Sequence, residues 1–171
     1  MLAAMSDELA NLYDDQGRVC GTAARSRIRR ENLRHGGTGI LVTNSRGEVY
    51  VHRRTDTKDV YPGWYDLAAG GMVSAGEEPE EAARRELAEE LGIEAPLVFV
   101  KQADYRDEQL NLHAWLYRVV WDGPVHHQAS EVAWGGWMTP AQVQELVDDP
   151  DRPVMPDAVE LWRDVLGAPG A

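Results

Sequence analysis

Three glutamates, Glu86, Glu89 and Glu90, stand at i, i+3 and i+4 within Arg85-Glu-Leu-Ala-Glu-Glu-Leu-Gly92. On an α-helix, residues so spaced share one face. Like charges at these spacings cost an isolated helix roughly 0.2–0.5 kcal/mol per pair. A divalent cation placed among them would remove that cost. An all-oxygen donor set selects hard ions, Mg2+ first and Mn2+ next. The competing reading is a solvated acidic helix face, with Arg84 and Arg85 as balancing charges.

The elements that must position these carboxylates are legible around them. Pro79 suits the first turn of a helix over 79–91, and Gly92 suits its end. Ala83, Leu87 and Leu91 form a separate apolar stripe that can lie on a sheet. The helix is entered from a Gly-rich stretch, Ala68-Ala-Gly-Gly71. Upstream, residues 8–24 read as two short strands about Asp14-Asp-Gln-Gly17, followed by a basic run from Arg25 to Arg34 that reads as a surface patch. Gly39–Thr43 and Glu48–His52 flank Asn44-Ser-Arg-Gly47 as a hairpin. Strands over 95–104, 110–120 and 134–138 follow. A helix capped by Thr139 with Pro140 at its first position, and a last helix over 157–166, complete the pattern. The expected fold is mixed α/β with helices on both sides of a sheet, in one domain over 1–171.

Composition narrows the partners. The formal net charge is −12 with pI near 4.8, a field that repels nucleic acid and anionic membrane. No nucleic-acid or membrane partner is expected. An anionic substrate must therefore be drawn in by a metal or by a few placed Arg and Lys. The one cysteine, Cys20, excludes an intrachain disulfide and a cysteine zinc cluster. The acidic N-terminus lacks signal-peptide features and no apolar run approaches a membrane span, so the expected location is the cytoplasm. Trp64, Trp115, Trp121, Trp134 and Trp137 read as core residues, and His126-His127 as a solvent-exposed pair. A homodimer paired through the N-terminal hairpin is left open.

The run from Gly71 to Ile93 resembles the Nudix box at every fixed position: Gly71, Glu77, Arg85, Glu86, apolar Leu87, Glu89, Glu90, Gly92 and apolar Ile93. Seven fixed identities at roughly 7% background each put a chance match on the order of 10⁻⁸ per window. The resemblance implies a Nudix fold, an α/β/α sandwich with a mixed, curved sheet. The box would span 71–93 and an N-terminal β-hairpin extension 1–35. It implies metal-dependent hydrolysis of a diphosphate bond in a nucleoside-diphosphate-like or other small organic substrate. By position, Glu86, Glu89 and Glu90 would hold Mg2+, joined by the Gly71 carbonyl, with Glu77 paired to Arg85 to support them. Metals would neutralise the diphosphate and lower the pKa of a water, and Glu89 would take its proton. A carboxylate from a later loop is the alternative base, Glu131 before Glu108.

Outside the box the chain resembles the isopentenyl-diphosphate isomerase-like branch. The likeness rests on Asp14–Gly17, Arg34-His35, His52-Arg53-Arg54, Lys58 and Tyr61-Pro-Gly-Trp64. It implies that Arg54 and Lys58 contact the substrate diphosphate. Ala68-Ala69-Gly70-Gly71 stands where an isomerase needs a cysteine and a metal-binding histidine, while the box keeps all three helix glutamates. Hydrolysis is therefore expected over isomerisation. A module that binds a diphosphate metabolite without turnover is the other alternative. His35, which matches a second isomerase metal histidine, reads as a satisfied packing residue.

Overall fold

The computed structural model describes residues 7–167, so the first six residues of the expected N-terminal extension lie outside it. Its central pairing is parallel: β3 (His35–Thr43) runs beside β7 (Asn111–Val120) from His35↔Leu112 to Thr43↔Val120. Side chains alternate across these strands. Ile40 and Val42 of β3 and Tyr117 and Val119 of β7 face α2 (Pro79–Leu91), packing on Ala83, Leu87 and Leu91. Leu41, Ala114 and Leu116 face the other way, against Leu146 of α3 (Pro140–Asp148) and Leu161 and Trp162 of α4 (Pro156–Leu166). The result is a sheet between two helical layers, an α/β sandwich.

The remaining strands pair antiparallel. β1 (Leu9–Tyr13) and β2 (Val19–Ala24) form the N-terminal hairpin, joined to β3 at Leu12↔His35. β6 (Val98–Arg106) extends the sheet beyond β7. β4 (Val49–Arg54) pairs with β8 (Val132–Met138) and with the two-residue β5 (Tyr65–Asp66). The sheet is thus mixed. No helix among the described residues is long and apolar enough to cross a membrane.

Three features differ from the sequence reading. The basic run is a helix, α1 (Arg25–Glu31), with an Arg27–Glu31 pair at 3.0 Å. Its only buried residue is Ile28, so it carries no apolar periodicity to detect. The hairpin about residues 44–47 is barely paired, meeting only at Thr43↔Val49. Beyond that point the segment after β5 takes the edge of β3, bridging Ile40↔Ala69 and Gly37↔Met72. Finally, Trp64, Trp115, Trp121 and Trp137 are only partly buried and Trp134 is exposed, whereas Trp162 is fully buried. Trp64, Trp115, Trp121 and Trp137 nonetheless pack against the two cores from these partly buried positions.

Gly70 is what lets that segment lie so close to β3. Its φ is +156°, and a Cβ there would fall 1.9 Å from the Thr38 carbonyl oxygen. Gly47, at φ +77°, has open space around it. Gly70→Ala is expected to lose about 3 kcal/mol or more of unfolding free energy in urea titration, against about 1–2 kcal/mol for Gly47→Ala. Equal losses would show that the approach to β3 is not the constraint.

Candidate active site

Helix α2 begins with a capping box, in which Glu78 and Glu81 exchange hydrogen bonds with each other's backbone, and Pro79 takes the first turn. It ends at Gly92 in the left-handed conformation, φ 64°. Arg85 ties the helix to the loop before it. Its Nε and Nη2 donate to the two Glu77 carboxylate oxygens at 2.8 and 3.0 Å, and Nη2 also reaches the Met72 carbonyl at 3.3 Å. Glu77 accepts further from the Ser74 N–H at 3.0 Å. The bidentate pair holds the Glu77 carboxyl below the usual carboxylate range and keeps Arg85 firmly protonated.

The loop so held brings Gly71 against Glu86. A Cβ on Gly71 would sit 2.4 Å from Glu86 Oε1, so only glycine allows the carboxylate this approach to the backbone. The Gly71 carbonyl accepts from the Thr38 N–H at 2.9 Å. Glu86 is largely enclosed, and burial raises its pKa against the opposing pull of Arg85. Glu90 is fully buried; burial first, then the charges of Glu86 and Asp66, push its pKa well up. Glu89 is half exposed.

The three glutamates share a neighbourhood but do not close on a common point. Arg85 Nη1 donates to Glu86 at 2.8 Å and to Glu89 at 3.4 Å, while Glu90 lies 3.9 Å from His52 Nε2. Among the described residues, no group of three His, Cys, Asp or Glu side chains is drawn tightly enough to grip an ion. Two features nevertheless fit a hard divalent cation. The donors are all oxygen, and burial with mutual repulsion opposes ionisation of Glu86 and Glu90, a penalty that a bound cation would relieve. His52 is buried beside them and its pKa falls to about 4 through burial, so it is uncharged at neutral pH.

The other expected residues divide into two groups. Lys58 and Glu131 form a close ion pair, which brings Glu131 to the site and also occupies it. Arg54 points its Nε and Nη2 at the Val60 carbonyl, at 3.2 and 2.9 Å. Both cations line a cavity of about 110 Å3 that also reaches Gly70, Gly71 and Asp66. Glu108 belongs to the β6–β7 turn and is not among the residues lining that cavity. His127 is half-buried, with its Nε2 bonded to the Tyr50 hydroxyl, rather than simply solvent-exposed. The basic run is more than a surface patch: Arg25 and Arg29 both pair with Asp59 at 3.1 Å and line the cavity.

Sequence reasoning missed Asp66 and Asp157, both of which line the cavity. Asp157 follows Pro156 in the first turn of α4, where an acid reads simply as a helix-start residue. Nor was His35 a satisfied packing residue. Its Nδ1 lies 2.9 Å from the Leu33 carbonyl, but its buried Nε2 has no partner.

The family model for the NUDIX domain matches residues 33–158, which span β3 to the start of α4 and enclose the loop and helix just described. The chain belongs to the Nudix family. It is 39% identical over 170 residues to the uncharacterised Nudix hydrolase orf19 of Rhodococcus erythropolis, covering 93% of this chain and 92% of the relative. It is 40% identical over 167 residues to the uncharacterised Nudix hydrolase PA4841 of Pseudomonas aeruginosa, covering 97% and 98%. Among solved structures, DR0079 from Deinococcus radiodurans superposes with a TM-score of 0.77 at 28% identity, covering 92% of this chain and 98% of that one. A MutT protein from Methanosarcina mazei, at 21% identity and TM-score 0.61, shares the fold. This Nudix chain is a hydrolase of phosphorus-containing anhydrides, and its family works with divalent cations.

The buried His35 sets a pH limit on stability. Burial lowers its pKa from 6.5 to about 4. Below pH 6.5 the unfolded chain binds a proton that the folded chain refuses, so stability present above that value is lost as pH falls toward 4. For this group the loss is at most about 3 kcal/mol. Chemical denaturation across that window is expected to show it, and His35→Phe to flatten the slope. An unchanged slope in the variant would assign the loss to other groups.

Proposed function

We propose that this Nudix hydrolase is Mg2+-dependent and cleaves the diphosphate bond of a small organic diphosphate, with Glu86, Glu89, Glu90 and the Gly71 carbonyl as metal donors. The observation that carries the reading is the approach of Glu86 to Gly71, with Glu90 buried beside it, held by the Glu77–Arg85 pair. The bound ion would neutralise phosphate oxygens and acidify a water.

The chain's own groups do the rest. Glu89, half exposed and joined only loosely to Arg85, is the carboxylate free to take the water proton. Glu131 is the alternative base, but its ion pair with Lys58 must open first. Arg54 and Lys58 meet the diphosphate at the cavity, giving an acidic protein the local cations it needs. Isomerisation has less support, since the one cysteine, Cys20, lies exposed on β2 and does not line the cavity. An exposed free thiol also fits a reducing, cytoplasmic setting.

The test is product release over nucleotides, nucleotide sugars and prenyl diphosphates in Mg2+. Turnover should vanish with a chelator and return with Mg2+. Glu89→Gln should lower kcat about 100-fold or more, and Glu131→Gln less than about tenfold. Full activity in Glu89→Gln would overturn the assignment of the base. Tight binding across the panel without any product would replace the hydrolase with a diphosphate-sensing module.

A further inference from the structure

The cavity under α4 does not have the make-up of a simple packing defect. One wall is apolar, with Leu112, Leu116, Met155, Leu161 and Trp162 between the sheet and the last helix, and the rest carries charged and polar side chains. Five buried side-chain polar atoms lack a partner among the described residues, and three belong to residues lining this one cavity: Arg29 Nη1, His35 Nε2 and Asp157 Oδ1. Leaving such an atom unpaired is costly to the fold. That all three residues line one cavity, which Gly71 also lines, points to a ligand group there rather than to scattered imperfections.

The three atoms also specify the group. His35 Nδ1 faces a carbonyl, which can only accept, so Nδ1 carries the hydrogen and Nε2 presents a lone pair. Arg29 Nη1 presents a donor. Hydroxyls can serve both kinds of partner, donating to an acceptor such as the first and accepting from a donor such as the second. A carbonyl would satisfy Arg29 alone, and an ammonium would face Arg25, Arg29 and Arg54. Asp157 offers a carboxyl oxygen for a further polar hydrogen. Size adds a second limit. A cavity near 150 Å3 in another protein holds benzene, so about 110 Å3 takes in about five or six heavy atoms, and a larger group must extend out of it.

We propose that this cavity is the subsite for the organic part of the substrate, and that it selects a compact hydroxylated carbon skeleton through His35, Arg29 and Asp157. The inference rests on the diphosphate hydrolase reading and adds the substrate class to it.

Two isosteric probes test it: butyl diphosphate bearing a terminal hydroxyl, and pentyl diphosphate, with ADP and UDP as nucleotide controls. Binding is measured by isothermal titration calorimetry in Ca2+, and turnover separately in Mg2+. The hydroxybutyl compound should bind about tenfold more tightly than pentyl diphosphate and than either nucleotide. His35→Phe should narrow the ratio between the isosteres to below about threefold. Asp157→Asn, nearly unchanged in shape, serves the same purpose should the histidine variant fail to fold. Equal binding of the isosteres, tighter binding of ADP or UDP, or a ratio unmoved by both variants would overturn the subsite. Selective binding without turnover would keep the subsite and refute the hydrolase. Turnover without selectivity would do the reverse.

Discussion

One guanidinium organises this site. Arg85 grips Glu77 with two parallel hydrogen bonds, touches the Met72 carbonyl, and lies against Glu86 and Glu89. Without it, the loop from Gly71 to Glu78 would have little reason to fold back on a helix that carries acids of the same sign. The planar fork of arginine matters, because a lysine would meet the same carboxylates as a point charge and could not span them in a fixed geometry. The site therefore depends on a cation that need not touch the substrate, and whose work is to make a crowd of negative charges tolerable.

The same logic extends outward. The chain is acidic overall, yet Arg25, Arg29, Arg54 and Lys58 gather around one cavity. Asp59 balances Arg25 and Arg29, and Glu131 balances Lys58. An arriving dianion thus competes with carboxylates already in place. Buried neutral histidines stand beside both regions: His52 next to Glu90, and His35 in the cavity. Each supplies polarity without adding to the charge.

How much of this was legible in the sequence follows from how local each signal is. Helix α2 was readable to the residue because Pro79, Gly92 and the stripe Ala83, Leu87 and Leu91 all lie within it. The Glu77–Arg85 pair was readable because both residues belong to one short motif. The cavity was not. Arg29, His35, Lys58, Asp66 and Asp157 come from five separate stretches, and nothing in their own neighbourhoods announces that β3 and α4 bring them together. The tryptophans were legible in part: Trp64, Trp115, Trp121 and Trp137 do pack against a core, though from partly buried positions, while Trp134 is exposed.

The segment that follows β5 completes the open edge of β3 and also forms the wall behind Glu86. Because side chains alternate along an extended chain, displacing this stretch by a single residue would turn its faces over and present a side chain to the carboxylate. Insertions and deletions are therefore barred from residues 67–74, however variable neighbouring loops become. Diversification must be accommodated elsewhere, in loops that carry neither the site nor the core, such as the exposed turn over 45–47.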